Sequence, residues 1–354
     1  MSEYLVKGTY GCIIKPNIKC NGSFGNVNEI TKFFFNKEDY LIEKKNHEKI
    51  EKIDNKYNFV IKKINNCKII LTPEIKQKIK NLDLCKLKSD EVYQITYEYG
   101  GLDLYDIFEK KYDDLLKINL FTFLQNFAKI FEGLSKINKN NLIHKDIKLN
   151  NILYNFEKKK FIIIDFGFCS NIKKYSKDIE TFREKSYRFY PNELNILSNI
   201  FYGYFFKDLK KYNLNSNILV SAFESYIYDL NIIYKDNTNP YFKKLLLLIN
   251  DIYNYFKIDI FINFDFTLYE KIFLKKIKLS KINKDFGNKI DVYMIGLTLF
   301  ELLLIIFIEL KNNPSIEKIP LELFILIKKM LLLNPYDRPT IQQATIEYKS
   351  IMKK

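Results

Sequence analysis

The residues best suited to chemistry form one ordered set in the middle of the chain. Asp146 is followed by Lys148 at the second position and Asn151 at the fifth, and Asp165 ends an apolar run nineteen residues after Asp146. Phosphoryl transfer needs a carboxylate facing the attacking hydroxyl, a cation near the γ-phosphate, and hard oxygen ligands for Mg²⁺. The set therefore predicts phosphoryl transfer, with Asp146 and Lys148 catalytic and Asn151 and Asp165 as metal ligands.

The motifs around these residues resemble those of the eukaryotic-type protein kinase superfamily. His144-Lys145-Asp146 with Asn151 is similar to the HRD…N motif, and Asp165-Phe166-Gly167 to the DFG motif. The resemblance implies ATP as phosphate donor, Mg²⁺ or Mn²⁺ as metal, and protein substrates. The lysine two residues after Asp146, Lys148, resembles the pattern of the serine/threonine subclass.

The resemblance also implies an α+β, bilobal protein-kinase-like fold. Residues 1–98 would form a small β-rich N-lobe with one main helix, and residues 99–354 a larger, mostly helical C-lobe. The pattern along the chain agrees, because strand signals dominate before Tyr97 and helical periodicity dominates after it. A glycine-containing turn between residues 4–7 and 12–15 predicts a hairpin. Asn36, with Asp39 three residues later, predicts the cap of a helix that ends near Ile53.

Residues near the N-terminus resemble the family's phosphate-binding loop, in which small residues let backbone N–H groups approach the phosphates. The segment also departs from the family, because Val6 occupies the place of the first of three glycines. The nucleotide-contacting positions implied here are Val6, Gly8, Thr9, Tyr10, Gly11 and Ile13.

Lys32 resembles the strand lysine that contacts the α- and β-phosphates, and its partner is expected to be a glutamate on the next helix. Glu43 is the first choice because it shares one helical stripe with His47 and Ile50. Glu48 is the alternative.

Ile95 to Leu104 resembles the hinge between the lobes. The resemblance implies that backbone groups around Glu98 and Tyr99 bind the adenine edge and that Asp103 reaches the ribose hydroxyls. Tyr97 would then occupy the gatekeeper position behind the nucleotide.

Three further segments resemble structural parts of the family. Pro191-Asn192-Glu193 looks like the end of the activation segment, Asp291 to Gly296 like the central C-lobe helix, and Asn334 to Thr340 like the late arginine motif. The resemblance implies an ion pair between Arg338 and Glu193.

Residues 194–288 exceed what the family needs at this place and predict a helical insertion. Two interpretations stay open: a docking surface for a partner, with a basic stretch from Lys275 to Lys284, or a helical elaboration packed on the C-lobe. The opening Gly8 to Pro16 and the segment Tyr190 to Glu193 are similar to kinases of large nucleocytoplasmic DNA viruses, and the composition suits a mimivirus-like, AT-rich source.

Composition limits the other function classes. The chain has 354 residues and a net charge of +15, but its lysines are scattered, so no specific nucleic-acid partner is expected. The apolar stretch Met294 to Leu310 contains two glutamates and predicts a buried core helix rather than a membrane span. With no secretory leader visible and five widely spread cysteines, we expect free thiols and a cytoplasmic location, meaning the host cytoplasm or virion if the protein is viral.

Three functions remain open at this point. The favoured one is an ATP-dependent serine/threonine protein kinase. The second is a weak or inactive pseudokinase that acts as a nucleotide-binding scaffold. A small-molecule or lipid kinase on the same fold is the third.

Overall fold

The computed structural model describes residues 2–8, 10–87, 89–174, 191, 214–257, 279–332 and 334–353. Several sequence predictions fall outside these residues: the role of Thr9, the end of the activation segment with the Glu193 partner of Arg338, and residues 194–213 and 258–278 of the predicted insertion, which include Lys275, Lys276 and Lys278 of its basic stretch.

A six-stranded sheet and one long helix make up the N-terminal part of the described chain. Its strands are β1 Ser2–Lys7, β2 Gly11–Lys15, β3 Glu29–Phe34, β4 Lys63–Ile70, β5 Ile79–Lys80 and β6 Glu91–Glu98. Their spatial order is β4-β6-β3-β2-β1-β5. The predicted antiparallel hairpin is confirmed as β1 and β2, in which Val6 lies opposite Ile13.

Helix α1, Lys37–Ile53, begins where the sequence predicts it. The side chain of Asn36 accepts a hydrogen bond from Asp39 N at 2.8 Å and so satisfies one of the free N–H groups of the first turn. One face of the helix is buried, and it carries Tyr40, Glu43, Asn46, His47 and Ile50. This face brings polar groups as well as apolar ones to the middle of the protein.

The C-terminal part is mainly helical. Its helices, numbered after the short α2 at Pro73–Gln77, are α3 Asp106–Lys110, α4 Tyr112–Leu116, α5 Leu120–Lys139, α6 Leu214–Tyr234, α7 Pro240–Lys257, α8 Leu279–Glu309, α9 Glu322–Met330 and α10 Ile341–Ile351. The short strands are β7 Leu102–Asp103, β8 Leu142–Ile143, β9 Ile152–Asn155, β10 Lys160–Ile163 and β11 Ser170–Asn171. This division into a sheet-rich and a helical part is the α+β, bilobal fold that the sequence predicts.

Helix α8 is the central core element. Its segment Phe286–Glu309 is long and apolar enough to cross a membrane, with a mean hydropathy of 2.2, but its apolar window is entirely buried inside the protein. The helix therefore serves as the predicted core helix, against which α5, α6, α9 and α10 pack.

The described part of the predicted insertion packs on this helix. The rings of Phe223 and Phe300 lie 5.2 Å apart, and the hydroxyl of Tyr234 donates to Phe307 O at 2.7 Å. Helix α8 begins at Leu279, so residues 279–288 belong to the core helix and not to the predicted insertion. The contacts of α6 support the interpretation as a helical elaboration.

The cysteines correct one expectation. Cys12 is bonded to Cys85 and Cys20 to Cys67, while Cys169 is free and buried. The prediction of free thiols was wrong for these four residues because wide spacing along the chain does not mean distance in space. The fold of the N-terminal part brings each pair to a Cα–Cα distance of 5.9 Å, inside the range for a disulfide.

Reduction is expected to destabilise the N-terminal part. Each bond closes a long loop in the unfolded chain, of 73 and 47 residues, and such bonds contribute about 2–4 kcal/mol to stability. A reductant should therefore lower the melting temperature, and Cys12→Ser should do so without reductant. Peptide mapping under non-reducing conditions should yield the 12–85 and 20–67 linked pairs. Alkylation of all five cysteines in denaturant without reductant would show that these bonds do not form.

Candidate active site

The catalytic loop brings three of the predicted residues together. Asn151 lies in the short 3₁₀ helix Leu149–Asn151, and its Nδ2 donates to both Asp146 O and Asp146 Oδ2 at 2.7 Å. The ammonium of Lys148 lies 3.2 Å from Asp146 Oδ2. The carboxylate of Asp146 is thus buried and held in place by an amide and a cation.

A buried carboxylate in the C-lobe core fixes this loop. Asp291, on α8, accepts from His144 N at 2.8 Å and from Lys145 N at 3.0 Å. Burial lowers the pKa of His144. Its Nδ1 accepts from Asp146 N at 3.2 Å, which assigns the proton of the neutral ring to Nε2, 3.2 Å from Ile164 O. One imidazole therefore joins the catalytic loop to the residue before Asp165.

Asp165 has a left-handed backbone, with φ of +61°. Few residues other than glycine adopt this conformation, and aspartate is among those that tolerate it. Burial alone would raise the pKa of the Asp165 carboxyl. The ammonium of Lys32, helped by that of Lys148, outweighs burial and holds the pKa below its ordinary value. Asp165 is therefore ionised at neutral pH, as a metal ligand requires.

Lys32 connects the sheet to helix α1. Its Nζ lies 2.5 Å from Glu43 Oε2 and 3.7 Å from Asp165 Oδ1. Burial alone would lower the pKa of Lys32, but the carboxylates of Asp165 and Glu43 outweigh burial and raise it. The structure thus pairs Lys32 with Glu43, the first choice from the sequence. Glu48, the alternative, lies 3.0 Å from Lys63 instead.

Tyr97 closes the space behind these charges. It is only 5% exposed, and its hydroxyl donates to Glu43 Oε1 at 3.0 Å. Burial, reinforced by the charge of Glu43, raises the pKa of Tyr97 well above its ordinary value, so the hydroxyl stays protonated and donates. Glu43 is consequently held by two partners, Lys32 and Tyr97.

The glycines of the phosphate-binding loop have different roles. A Cβ on Gly11 would lie 1.9 Å from Phe33 O, so the close approach of β2 to β3 requires glycine there. Gly8 has room for a side chain, and its N–H donates to Gly11 O at 2.8 Å. The ring of Tyr10 reaches across to Phe168, with centroids 5.8 Å apart. In this structure the loop therefore lies folded toward the segment that follows Asp165.

The hinge uses two of its backbone N–H groups internally. Glu98 N donates to Lys62 O at 2.9 Å, and Tyr99 N donates to Asn28 O at 2.7 Å. Lys15 Nζ lies 3.3 Å from the centroid of the Tyr99 ring. These two N–H groups are therefore already hydrogen-bonded within the protein. An adenine would bind other backbone groups of this segment, and the next N–H along the chain is that of Gly100.

Asp103 caps a helix at the other end of the hinge. Its Oδ1 accepts from Tyr105 N and Asp106 N, both at 2.9 Å, and so satisfies N–H groups at the start of α3. Burial raises the pKa of Asp103 to about 6. Its second carboxylate oxygen is not used by this cap, which is compatible with the predicted contact to a ribose.

Replacing this carboxylate should show a pH-dependent effect on stability. The folded protein raises the pKa of Asp103 from 3.8 to about 6, so ionisation opposes folding and stability is lost as the pH rises from about 4 through 6. Asp103→Asn keeps an acceptor oxygen for the cap and does not titrate. The variant is thus expected to gain melting temperature over the wild type at pH 7.5, and to gain less at pH 5.

The exposed Asp113→Asn is the matched control for this comparison. It should differ from the wild type by a similar amount at both pH values. A difference between Asp103→Asn and the wild type that does not change with pH would contradict the raised pKa.

The structure also shows two positioning residues that sequence reasoning missed. The sequence placed Asp291 on the central helix but gave no reason to assign it a role. It also gave no reason to assign a role to Asn46, whose Nδ2 donates to Phe166 O and Cys169 O at 2.9 Å. These partners lie more than 100 residues away, so no local spacing could reveal them. The only available signal was a polar residue on a helix face that is otherwise buried.

Among the described residues, Arg338 contacts backbone carbonyls and an aromatic ring. It is 1% exposed, donates to Leu332 O and Lys289 O, and lies with its guanidinium 4.9 Å from the ring of Tyr293. The predicted partner Glu193 lies outside the described residues. The observed contacts already use the planar, many-donor geometry that lysine lacks.

The donor chemistry fits a divalent metal held jointly with phosphate oxygens. The described residues contain no cluster of three or more His, Cys, Asp or Glu side chains that could hold a metal alone. Asn151 uses only its Nδ2 toward the described residues, which leaves its Oδ1, and Asp165 is an ionised carboxylate. Two oxygen ligands completed by phosphates and water are what Mg²⁺ prefers.

Residues 20–199, just over half of the chain, match the sequence model of the protein kinase domain. The chain belongs to the protein kinase family. The matched region contains Lys32, Glu43 and the predicted catalytic and metal-binding residues from Asp146 to Asp165, and it begins after the glycine loop. No curated protein sequence matches the chain significantly. Family membership gives a phosphotransferase that uses ATP with a divalent metal and acts on protein substrates.

Proposed function

We propose that this protein kinase is an active serine/threonine kinase that uses Mg·ATP. The observation that carries the proposal is the Lys32 ammonium, 2.5 Å from Glu43 and 3.7 Å from Asp165, in a chain that also pairs Asp146 with Asn151 and Lys148. A scaffold that only binds nucleotide has no need of a buried, oriented carboxylate at Asp146.

Each residue has a distinct role in this proposal. Asp146 orients the acceptor hydroxyl and takes its proton, while Lys148 stabilises the charge of the transferred phosphoryl group. Lys32 holds the α- and β-phosphates, and Asn151 and Asp165 hold Mg²⁺. The metal, when bound, neutralises phosphate charge during the transfer.

The nucleotide is proposed to lie between the sheet and the hinge. Val6 and Ile13, opposite each other in the hairpin, and the loop from Gly8 to Gly11 would cover it, and backbone groups next to Glu98 and Tyr99 would bind the adenine edge. Asp103 would bind the ribose through the oxygen that its helix cap leaves over.

Substrate class and biological setting belong to the same proposal. Lys148, two residues after Asp146, supports serine or threonine as acceptor by resemblance to that subclass. The resemblance to viral kinases supports a viral source, with the protein in the host cytoplasm or the virion. Two disulfides are more typical of oxidising compartments than of the cytoplasm. Trapping of free thiols in intact cells tests the location, because it shows whether these cysteines are bonded there.

We also propose that a partner protein docks on the outer surface of the insertion. Helix α6 uses Phe223 and Tyr234 to pack on the core, but Tyr228 and Ile232 are largely exposed. Deleting residues 200–278 and finding the same substrate choice would remove this docking role.

Transfer from γ-labelled ATP with Mg²⁺ tests the proposal. We expect label on serine or threonine of the kinase itself or of generic acidic and basic proteins, and none with Asp146→Asn. Label on tyrosine would overturn the subclass, and label on lipid or a small molecule alone would overturn the acceptor.

A nucleotide-binding pseudokinase is the second candidate. It is favoured by Val6 in place of a glycine and by Gly8 N–H, which donates to Gly11 O rather than facing outward. A thermal shift with Mg·ATP but no label under any condition would support this candidate over the active enzyme.

A further inference from the structure

Asn46 is an amide buried where a helix usually places an apolar side chain. It is 7% exposed, lies on the inner face of α1, and its Nδ2 donates to Phe166 O and Cys169 O, each at 2.9 Å. Both hydrogens of the amide are therefore used, and its Oδ1 accepts from Lys49 Nζ at 3.4 Å. Burying a polar group costs stability unless it is hydrogen-bonded. The buried amide therefore favours the arrangement in which both carbonyls lie within its reach.

The two carbonyls that accept these bonds belong to the turn after Asp165. Cys169 N donates to Phe166 O at 3.0 Å, which closes the turn, and Asn46 reaches the same oxygen from outside. The turn follows a residue held at φ of +61°, a conformation that persists only where the surroundings fix it. Asn46 supplies part of that fixation.

The same helix face holds the other half of the site. Glu43 is three residues before Asn46, so the two side chains lie on one side of α1, one turn apart. Glu43 contacts Lys32, while Asn46 contacts the turn that carries Asp165. A shift of the helix would therefore disturb Lys32 and Asp165 together.

Next to Asn46, helix α1 also contacts this region by ring packing. The ring of His47 packs on Phe166 and Tyr97, at centroid distances of 5.7 and 5.2 Å. The loop after the helix is tied to β10, because Ile163 N donates to Phe59 O at 2.7 Å. Ring packing tolerates sliding, whereas two hydrogen bonds from one amide specify position and direction.

We propose that Asn46 is a positioning residue: its amide locks helix α1 to the turn after Asp165, so that Lys32, Glu43 and Asp165 are assembled in the free protein without a further signal. The role in catalysis rests on the proposed kinase activity, but the lock itself does not. It is a property of the chain before any nucleotide binds.

The lock is tested by hydrogen exchange in the free protein. Asn46→Leu removes both donors at similar size, and Asn138→Leu is the matched control. Asn138 is also an inward-facing amide, 9% exposed, which bonds Asn288 and Gln342 away from the site. We expect backbone amides of residues 164–172 to exchange roughly 10- to 100-fold faster in Asn46→Leu, as losing one or two buried hydrogen bonds predicts. Asn138→Leu should leave them unchanged.

Kinetics provide the second readout, measured well below the melting temperature of every variant. Asn46→Leu should lower kcat/KM for Mg·ATP roughly 10- to 100-fold and raise the Mg²⁺ concentration that gives half-maximal rate. KM for the acceptor protein should stay the same, because the hydrogen bonds of Asn46 to the described residues are to Lys49 and to the turn after Asp165. If Asn46→Leu does not fold, Asn46→Ser with Asn138→Ser replaces the pair.

The outcomes separate this inference from the proposed function. Exchange in residues 164–172 that rises equally in both variants would overturn the lock, as would kinetic losses that match in both. If the wild type transfers no phosphate, the proposed function fails, and the exchange comparison still decides whether Asn46 holds the turn.

Discussion

Asp146→Asn is expected to lower turnover about 10³-fold while leaving the affinity for Mg·ATP within about twofold. The carboxylate is the group proposed to take the proton from the acceptor hydroxyl, and an amide cannot do so. The local fold should survive, because the new side chain still offers an oxygen to Asn151 Nδ2, which lies 2.7 Å from Asp146 Oδ2. Steady-state phosphate transfer and calorimetric titration of nucleotide measure the two quantities.

The control for this variant is an exposed aspartate outside the site, Asp83→Asn. It should retain wild-type turnover and nucleotide affinity. Retention of more than a tenth of the turnover by Asp146→Asn would remove Asp146 from its proposed role as base. An equal loss of nucleotide binding would instead indicate a structural role.

Asp165→Asn should give the opposite pattern, a roughly 10- to 100-fold loss of Mg·ATP affinity. The change removes the negative charge of a proposed metal ligand, which lies 3.7 Å from the Lys32 ammonium. Asparagine tolerates the left-handed backbone at this position as aspartate does, so the turn is expected to keep its shape. Nucleotide affinity measured over a range of Mg²⁺ concentrations tests the effect.

The absence of metal provides the internal control for Asp165→Asn. ATP without divalent metal should bind the variant at least as well as the wild type, because without a metal the Asp165 carboxylate only repels the phosphates. If the variant loses the same affinity with and without Mg²⁺, then Asp165 acts on the nucleotide or on the fold and is not a metal ligand.

The parts that could be predicted from the sequence depend on short spacings. Asp146, Lys148 and Asn151 lie within six residues, and helical periodicity was enough to choose Glu43 over Glu48 as the partner of Lys32. The cap at Asn36 and the hairpin near Val6 are equally local. In each case the physical constraint acts between neighbours in the chain, so the sequence contains it.

The parts that could not be predicted are contacts between distant segments. The pairing of Cys12 with Cys85 depends on the order of strands in the sheet, which no cysteine spacing reveals. Asn46 meets a turn 120 residues away, and Asp291 meets a loop 147 residues away. Nothing in the neighbouring sequence of these residues indicates their distant partners, which only the folded chain brings into contact.

The two disulfides have a consequence for how the chain can be broken. The 20–67 bond lies inside the loop that the 12–85 bond closes, so the cross-links are nested. A single protease cut anywhere between residues 12 and 85 therefore leaves both fragments joined by at least one sulfur bridge. That span includes Lys32 and Glu43, so a nicked molecule would keep this half of the active site attached and would run as an intact chain until it is reduced.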